Sequence, residues 1–357
     1  MRVGYLYRIC GVFAVLASQL CVGSAANAAS GYTMQDLGVL PQGTSQLIRA
    51  LNNSGEIVGG VRTADSEHRA FTLSSLGFER IEGMPGTDYS AAHGINDLGE
   101  IVGSSNSGTS IEAFRWTRQG GIQRFAPLPG DNSSEAFGIN SRGQVVGYSS
   151  GPRGMQAVVW TRTDRARELG TLDNGYSKAL AINERGDVVG TVGSSPVMRA
   201  FLWTPSSGMR DLGTLPGDQE SEALNINDAG EAVGWSSAPN RIRAVLWSAA
   251  GIQDLGALGA GQYNKARAIN AHGEVVGYSG DVHASRAFLW TRGSGMQDLN
   301  ALLVPPASGL VLTEAAGINN AGWILAIGRD HHHGHVESKH QDGHEAPLRV
   351  FLLVPVR

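Results

Sequence analysis

Cysteine is nearly absent: the 357 residues contain two, Cys10 and Cys21, both within the first 22 positions. Nothing downstream of them can form a disulfide or offer a thiol nucleophile, so stability must come from core burial and the domain must be large. Beyond the N-terminus no segment is long and apolar enough to span a bilayer. No stretch keeps an apolar period of 3.6 residues, which argues against long helices. An excess of positive charge is missing too. The chain has 28 basic and 32 acidic residues, and setting aside Arg2 and Arg8 leaves 26 against 32, a net of −6. Such a balance gives no general attraction to nucleic acid or to anionic membranes.

The N-terminus reads as an export signal. Arg2 and Arg8 form a basic start, Ile9 to Val22 an apolar stretch, and Ser24 to Ala29 a run of small residues. That order matches a secretory signal peptide, residues 1–28, with cleavage expected after Ala28. The competing reading, a membrane anchor, needs about 20 apolar residues and finds fewer. A lipoprotein signal fits less well, because Cys21 follows Gln19 and Leu20 rather than small residues. Residues 29–357 are then one exported domain, extracellular or periplasmic, with no membrane contact after cleavage.

Glycine, by contrast, is abundant, with 49 residues, and it falls on a repeat. Leu51-Asn52, Ile95-Asn96, Ile139-Asn140, Ile182-Asn183, Ile226-Asn227, Ile269-Asn270 and Ile318-Asn319 recur at intervals of 43 to 49 residues. Three residues after each Asn comes Gly55, Gly99, Gly143, Gly186, Gly230, Gly273 or Gly322. Four residues further, six copies have another Gly and the last has Ala326. An Asn side chain caps the backbone two residues on and the Gly takes positive φ, which is turn chemistry for a short hairpin. Seven asparagines at one position also resemble an array of sites, but the turn reading is the simpler one.

Each copy divides into four short strands. They are Ser-x-Ala-x-x-Ile-Asn (Ser221 to Asn227), Glu-x-Val-Gly (Glu274 to Gly277), Ala-Phe-Leu-Trp (Ala200 to Trp203) and Met-x-Asp-Leu-Gly (Met209 to Gly213). Short runs rich in β-branched and aromatic residues, bounded by Gly, Asn, Ser or Pro, are strands. Four strands in about 44 residues match a propeller blade. Small residues on the first strand suit convergence on an axis, and Trp116, Trp160, Trp203, Trp247 and Trp290 on the third suit packing between blades. The chain begins with a lone fourth strand, Tyr32 to Gly38, and ends with a lone third strand, Arg349 to Val356. The expected fold is therefore all-β: a seven-bladed β-propeller of four-stranded blades, its ring closed by the N-terminal strand pairing with the C-terminal blade. An open β-solenoid is the alternative, but the two ends do not look like caps.

The repeat Asp-Leu-Gly-x-Leu-Pro-Gly … Ser-x-Ala-x-x-Ile-Asn-x-x-Gly-x-Val-Val-Gly … Ala-Phe-Leu-Trp-Thr resembles the HAF-repeat family of extracellular repeat proteins, from about Tyr32 to Arg357. The resemblance implies export and a repeat fold and no particular substrate. The first position of the family's His-Ala-Phe triplet is held here by Arg69, Glu112, Gln156, Arg199, Arg243, Arg286 and Arg349, so no role of that His carries over.

In a propeller, the loop leading into each first strand and the loop between the second and third strands open on one face. The first set brings Asp88, Tyr89, Asp131, Asn132, Asp173, Tyr176, Asp218, Glu220 and Tyr263 to the mouth. Arg199, Arg243 and Arg286 start third strands beside it. Carboxylates, tyrosines and arginines around a concave mouth suit a polar ligand such as a glycan. The competing reading is structural: the arginines pair with neighbouring acids and the aspartates shape turns. In the last copy the second-to-third-strand loop, 331–345, carries His331, His332, His333, His335, His340 and His344. Neutral imidazoles bind Zn, Ni or Cu, and the alternative is a solvated insertion.

No catalytic residues emerge. There is no G-x-S-x-G in a strand–turn–helix setting, and His68, His93, His272 and His283 sit in different copies. The expectation is a non-enzymatic binding module, a monomer, for a polysaccharide or an extracellular protein. A carbohydrate-active enzyme using mouth carboxylates and a metal-binding surface protein are the alternatives.

Overall fold

In the computed structural model the described residues are 31–39, 48–62, 67–107, 110–162, 165–172, 175–194, 197–281, 284–330 and 348–356. The export signal and the His-rich segment fall outside them, as do Asp173 and His283. The regular structure of the described residues is all-β, 28 strands with one short 3₁₀ turn at Leu299–Leu302.

Each repeat copy folds into a four-stranded antiparallel unit. Units one to six span residues 48–81, 90–125, 133–168, 176–211, 220–254 and 263–298. Units five and six are counted as one eight-stranded sheet because of a single parallel contact, Ile242 with Tyr263. The seventh unit takes three strands from residues 310–356 and its fourth from the other end of the chain. There Gly31–Val39 pairs antiparallel with Arg349–Val356, Gly31 opposite Val356 and Gln35 opposite Leu352. Arg349 pairs with Asp36 across this seam. The same bracket, third-strand Arg to fourth-strand Asp, joins Arg199 to Asp211, Arg243 to Asp254 and Arg286 to Asp298 within their own units.

The core lies between units. One cluster joins Val102, Phe125 and Leu128 of unit two to Ile139, Val158 and Trp160 of unit three. Equivalent clusters follow along the chain, and another joins Leu325 and Val350 of unit seven to Ile48 and Ile57 of unit one. The five third-strand tryptophans are at most 8% exposed inside these clusters, as inter-blade packing requires. A sheet buries only what its neighbour covers, so no unit has a complete core alone.

The asparagine row does more than shape turns. Asn183 Oδ1 accepts from the backbone N–H groups of Arg185 at 3.0 Å and Asp187 at 2.9 Å. Its Nδ2 then donates to the backbone oxygen of Asn227, the same position in the next unit, at 3.1 Å. Asn52, Asn96, Asn140, Asn227 and Asn270 do likewise, and Asn319 donates to the Asn52 oxygen at 3.2 Å. The glycine three residues on has φ between +73° and +86° in all seven copies, a region open to Gly at no steric cost.

Each first strand carries a β-bulge at one fixed place. Opposite the second strand the register slips between Ala92 and Gly94, Ala136 and Gly138, and so on, leaving the intervening residue unpaired. The repeated second-strand glycine faces this bulge: a Cβ on Gly147 would lie 1.8 Å from the Glu135 carbonyl oxygen. The seventh unit, which has Ala326 there, carries an additional register slip between Leu312 and Glu314.

Candidate binding site

Several of the mouth residues that the sequence singles out are engaged in the architecture. Asp218 is enclosed, its side chain 0% exposed, and pairs with Arg241 and Arg243, both at 2.9 Å. Ser236 Oγ also donates to it, at 2.7 Å. Burial alone would raise its pKa, but hydrogen bonds from Ser236, Arg241 and Arg243 and the Arg243 charge hold it below the ordinary carboxylate value. Asp131 accepts from Ser149 Oγ at 2.7 Å, and Asp88 accepts from Asn106 Nδ2. Tyr176 is 48% exposed beside Gly154, and Tyr263 is half-buried at the parallel contact. Arg199, Arg243 and Arg286 hold fourth-strand aspartates rather than a free surface.

Tyr89 differs, because it turns inward. Its ring stacks on His68 with centroids 5.1 Å apart. Burial raises its pKa first, then the Glu135 charge, against a lowering contact with Ser104 and the Arg49 charge. Arg49 on unit one in turn feels Arg267 on unit six, Glu135 on unit three and Glu314 on unit seven. Units that are not neighbours in sequence thus share one central space, bounded by the first strands.

Two positions of the first strand line it. The residue after the Ser of Ser-x-Ala is Glu135, Lys178 or Glu222 in units three to five, and its counterparts in units six and seven are Lys265 and Glu314, so charge alternates from unit to unit. The bulged residue, two further on, is Arg49, His93, Phe137, Leu180, Leu224, Arg267 or Ala316. A bulge re-aims its side chain, which is how sheets commonly direct groups into a site. The second strand adds Ser104, Tyr148, Trp235 and Tyr278 opposite the first set.

These groups contact one another closely. Tyr148 donates to Glu135 at 2.9 Å and Trp235 Nε1 to Glu222 at 3.0 Å. Arg267 pairs with Glu314 at 2.8 Å. Lys178 Nζ lies 4.2 Å from the Phe137 ring centroid, Lys265 Nζ 4.9 Å from that of Trp235. Such cation–π contacts contribute roughly 0.5–2 kcal/mol. The pKa values of Lys178 and Lys265 are lowered, first by burial, and for Lys265 next by Arg267. His93 lies 3.9 Å from Glu135, which favours its charged form, yet burial and the charges of Arg49, Lys178 and His68 prevail and push its pKa down to about 3. His93 is therefore a neutral imidazole, 3.2 Å from Ser104 Oγ.

The sequence reading named the loop residues and not these. They lie two to four positions downstream of the loop residues it named, Asp131 to Glu135 and Tyr176 to Lys178 for example. The alternating charge at one repeat position was the available signal. A separate groove of about 630 Å³ runs along the outer rim, lined by Glu79, Arg80, Glu82, Met84, Trp116 and Arg124. Its charges are spent on one another, Arg80 on Glu82 and Arg124 on Glu112. Among the described residues no group of three or more His, Asp or Glu side chains is placed to hold a metal ion. Among them no helix is long and apolar enough to cross a membrane.

No family model and no curated protein sequence matches the chain. Solved structures do. Virginiamycin B lyase from Staphylococcus aureus is 13% identical with a TM-score of 0.55, over 91% of this chain and 100% of that one. The β-propeller domain of the Trilobed protease from Pyrococcus furiosus is 9% identical at 0.52, over 91% and 94%. A puromycin-hydrolyzing peptidase of Mycobacterium tuberculosis is 12% identical at 0.53, over 83% of this chain and 53% of that one. Likeness at such identity speaks for architecture and not for chemistry, and the architecture is a β-propeller.

Proposed function

We propose that the chain is an exported, closed seven-bladed propeller that works as a non-enzymatic binding module for a polar extracellular ligand, a polysaccharide or a protein, seated on its inner face. The observation that carries the binding reading is the lining itself: alternating Glu135, Lys178, Glu222, Lys265 and Glu314 interleaved with Tyr148, Trp235 and Tyr278. Concave sites that offer a few placed polar groups beside aromatic ones are where proteins take ligands. Closure is supported by the asparagine circuit, whose last member donates to its first, by the core shared between units seven and one, and by the strand 31–39 completing the last unit. Export is supported by the leader pattern of residues 1–28 and by the resemblance to HAF repeats.

The mouth carboxylates suit a structural role better than catalysis. A general acid must hold a proton near the working pH, and Asp218 is enclosed, doubly paired and held ionised. The test is retention of residues 29–357 on a panel of soluble polysaccharides, with released sugar assayed in parallel. Retention without release is expected, and release would replace this reading with an enzymatic one. The six histidines between His331 and His344 support a separate proposal of Zn, Ni or Cu binding. Equilibrium dialysis of the chain with and without residues 330–345 tests it, and equal metal uptake would discard it.

A further inference from the structure

We infer that the inner face seats a uronate, a sugar ring bearing one carboxylate, and that Arg49 receives that carboxylate. The inference rests on the binding-module reading and narrows it to one ligand chemistry.

Arg49 occupies the bulged position of the first unit, and its side chain is open to solvent although it lies among the first strands. A guanidinium offers five N–H donors in a planar fork that matches a carboxylate. Among the described residues Arg49 makes no hydrogen bond and no ion pair; its only recorded partners are charges and a tyrosine acting at a distance. At the same bulged position of the sixth unit Arg267 holds Glu314, whereas Arg49 holds no carboxylate among the described residues. Lys178 is in the same condition. Its ammonium lies over Phe137 and Tyr148, and no carboxylate among the described residues comes within ion-pair distance. Burial and the Arg49 charge disfavour the Lys178 cation against the pull of Glu135 and Glu222, and Arg49, although its side chain reaches solvent, is disfavoured by desolvation and by Arg267. An anion bound between them would offset that cost.

The neighbouring acceptors decide which anion. Glu135 and Glu222 each use one oxygen on a neutral donor, Tyr148 and Trp235. Their second oxygens accept no hydrogen bond among the described residues. A sulfate would bring two negative charges and no donors to these carboxylates, and a phosphate only one or two hydroxyls on a compact anion. A uronate brings a single carboxylate for Arg49 and hydroxyl donors for the glutamates, so each unused group meets its complement.

Calorimetric titration of residues 29–357 with trigalacturonate, with its neutral methyl triester and with maltotriose tests this. Trigalacturonate should bind at least tenfold more tightly than its ester. Arg49→Gln should abolish that preference by weakening trigalacturonate at least tenfold more than the ester, with a thermal melt confirming the fold. Arg49→Lys should restore part of the preference, and Lys178→Gln should weaken the acid by a smaller factor. Equal binding of acid and ester, an acid preference that survives Arg49→Gln, or displacement by inorganic phosphate at comparable concentration would each overturn the inference. If only maltotriose or the ester binds, the uronate seat is wrong and the binding-module reading stands. If none of the three binds and the polysaccharide panel retains nothing either, the glycan reading falls with it.

Discussion

His93 illustrates how the inner face sets protonation at single residues. The folded chain keeps this imidazole neutral down to about pH 3, against an ordinary value of 6.5. Between those limits the unfolded chain binds a proton that the folded chain refuses. Stability is therefore whole above pH 6.5 and declines as pH falls toward 3. Each unit of that interval is worth up to about 1.4 kcal/mol. His93→Gln keeps a hydrogen-bonding group near Ser104 and removes the titration. Urea melts at pH 7 and pH 4.5 should show the variant losing less stability than the parent, by about 2 kcal/mol. Equal losses would mean that the imidazole is charged in the fold. Lys178 and Lys265 report the same environment: burial lowers their pKa values first, and nearby glutamates and aromatic faces offset part of that desolvation.

Between units, the repeat element is held by a small set of recurring bonds. The serine that opens the first strand of units two to five reaches back one unit: Ser134 Oγ accepts from Ala113 N at 3.0 Å, and Ser221 Oγ from Ala200 N at 2.9 Å. On the opposite face Arg118 pairs with Glu56 at 2.7 Å and Arg162 with Glu100 at 3.7 Å, each across a unit boundary. The asparagine circuit is the third such tie, and it gives closure a direct test. If the ring is closed, Asn319 at the seam is equivalent to Asn183 in the middle. Asn319→Ala and Asn183→Ala should then cost similar stability, about 2–4 kcal/mol each, because a buried side chain loses three hydrogen bonds at Asn319 and four at Asn183. Equilibrium unfolding measures both. A seam substitution costing under about 0.5 kcal/mol, the range of an unconstrained surface site, would mean an open array. The strands, their order in each unit and the fourth-strand role of residues 31–39 were legible in the sequence, because periodicity and turn residues act locally. The bulge was not. It follows from how two strands pair, and it decides that Arg49, His93 and Arg267 look inward rather than into the neighbouring sheet. For the same reason the particular partners of Asp131, Asp218 and Arg243 were not legible, since Ser149, Ser236 and Asp254 lie on other strands.

For the whole molecule, the outer shell and the inner face differ in kind. Outward and between units, polar groups are matched locally, Arg to Asp within a unit and Ser to backbone across a boundary. Inward, cations and carboxylates alternate without pairing fully, and the aromatic groups serve them as neutral partners. The cost of such a lining is met by the cores between units. The account's central claim is that ligand binds to this lining and not to the mouth loops. The direct measurement compares polysaccharide retention by three proteins: the parent, an inner double variant Glu222→Gln/Lys265→Gln, and a mouth variant Arg286→Gln, whose own side chain is exposed. Retention lost in the inner variant and kept in the mouth variant is the predicted result. Retention kept in the inner variant and lost in the mouth variant would contradict the claim and return the site to the loops.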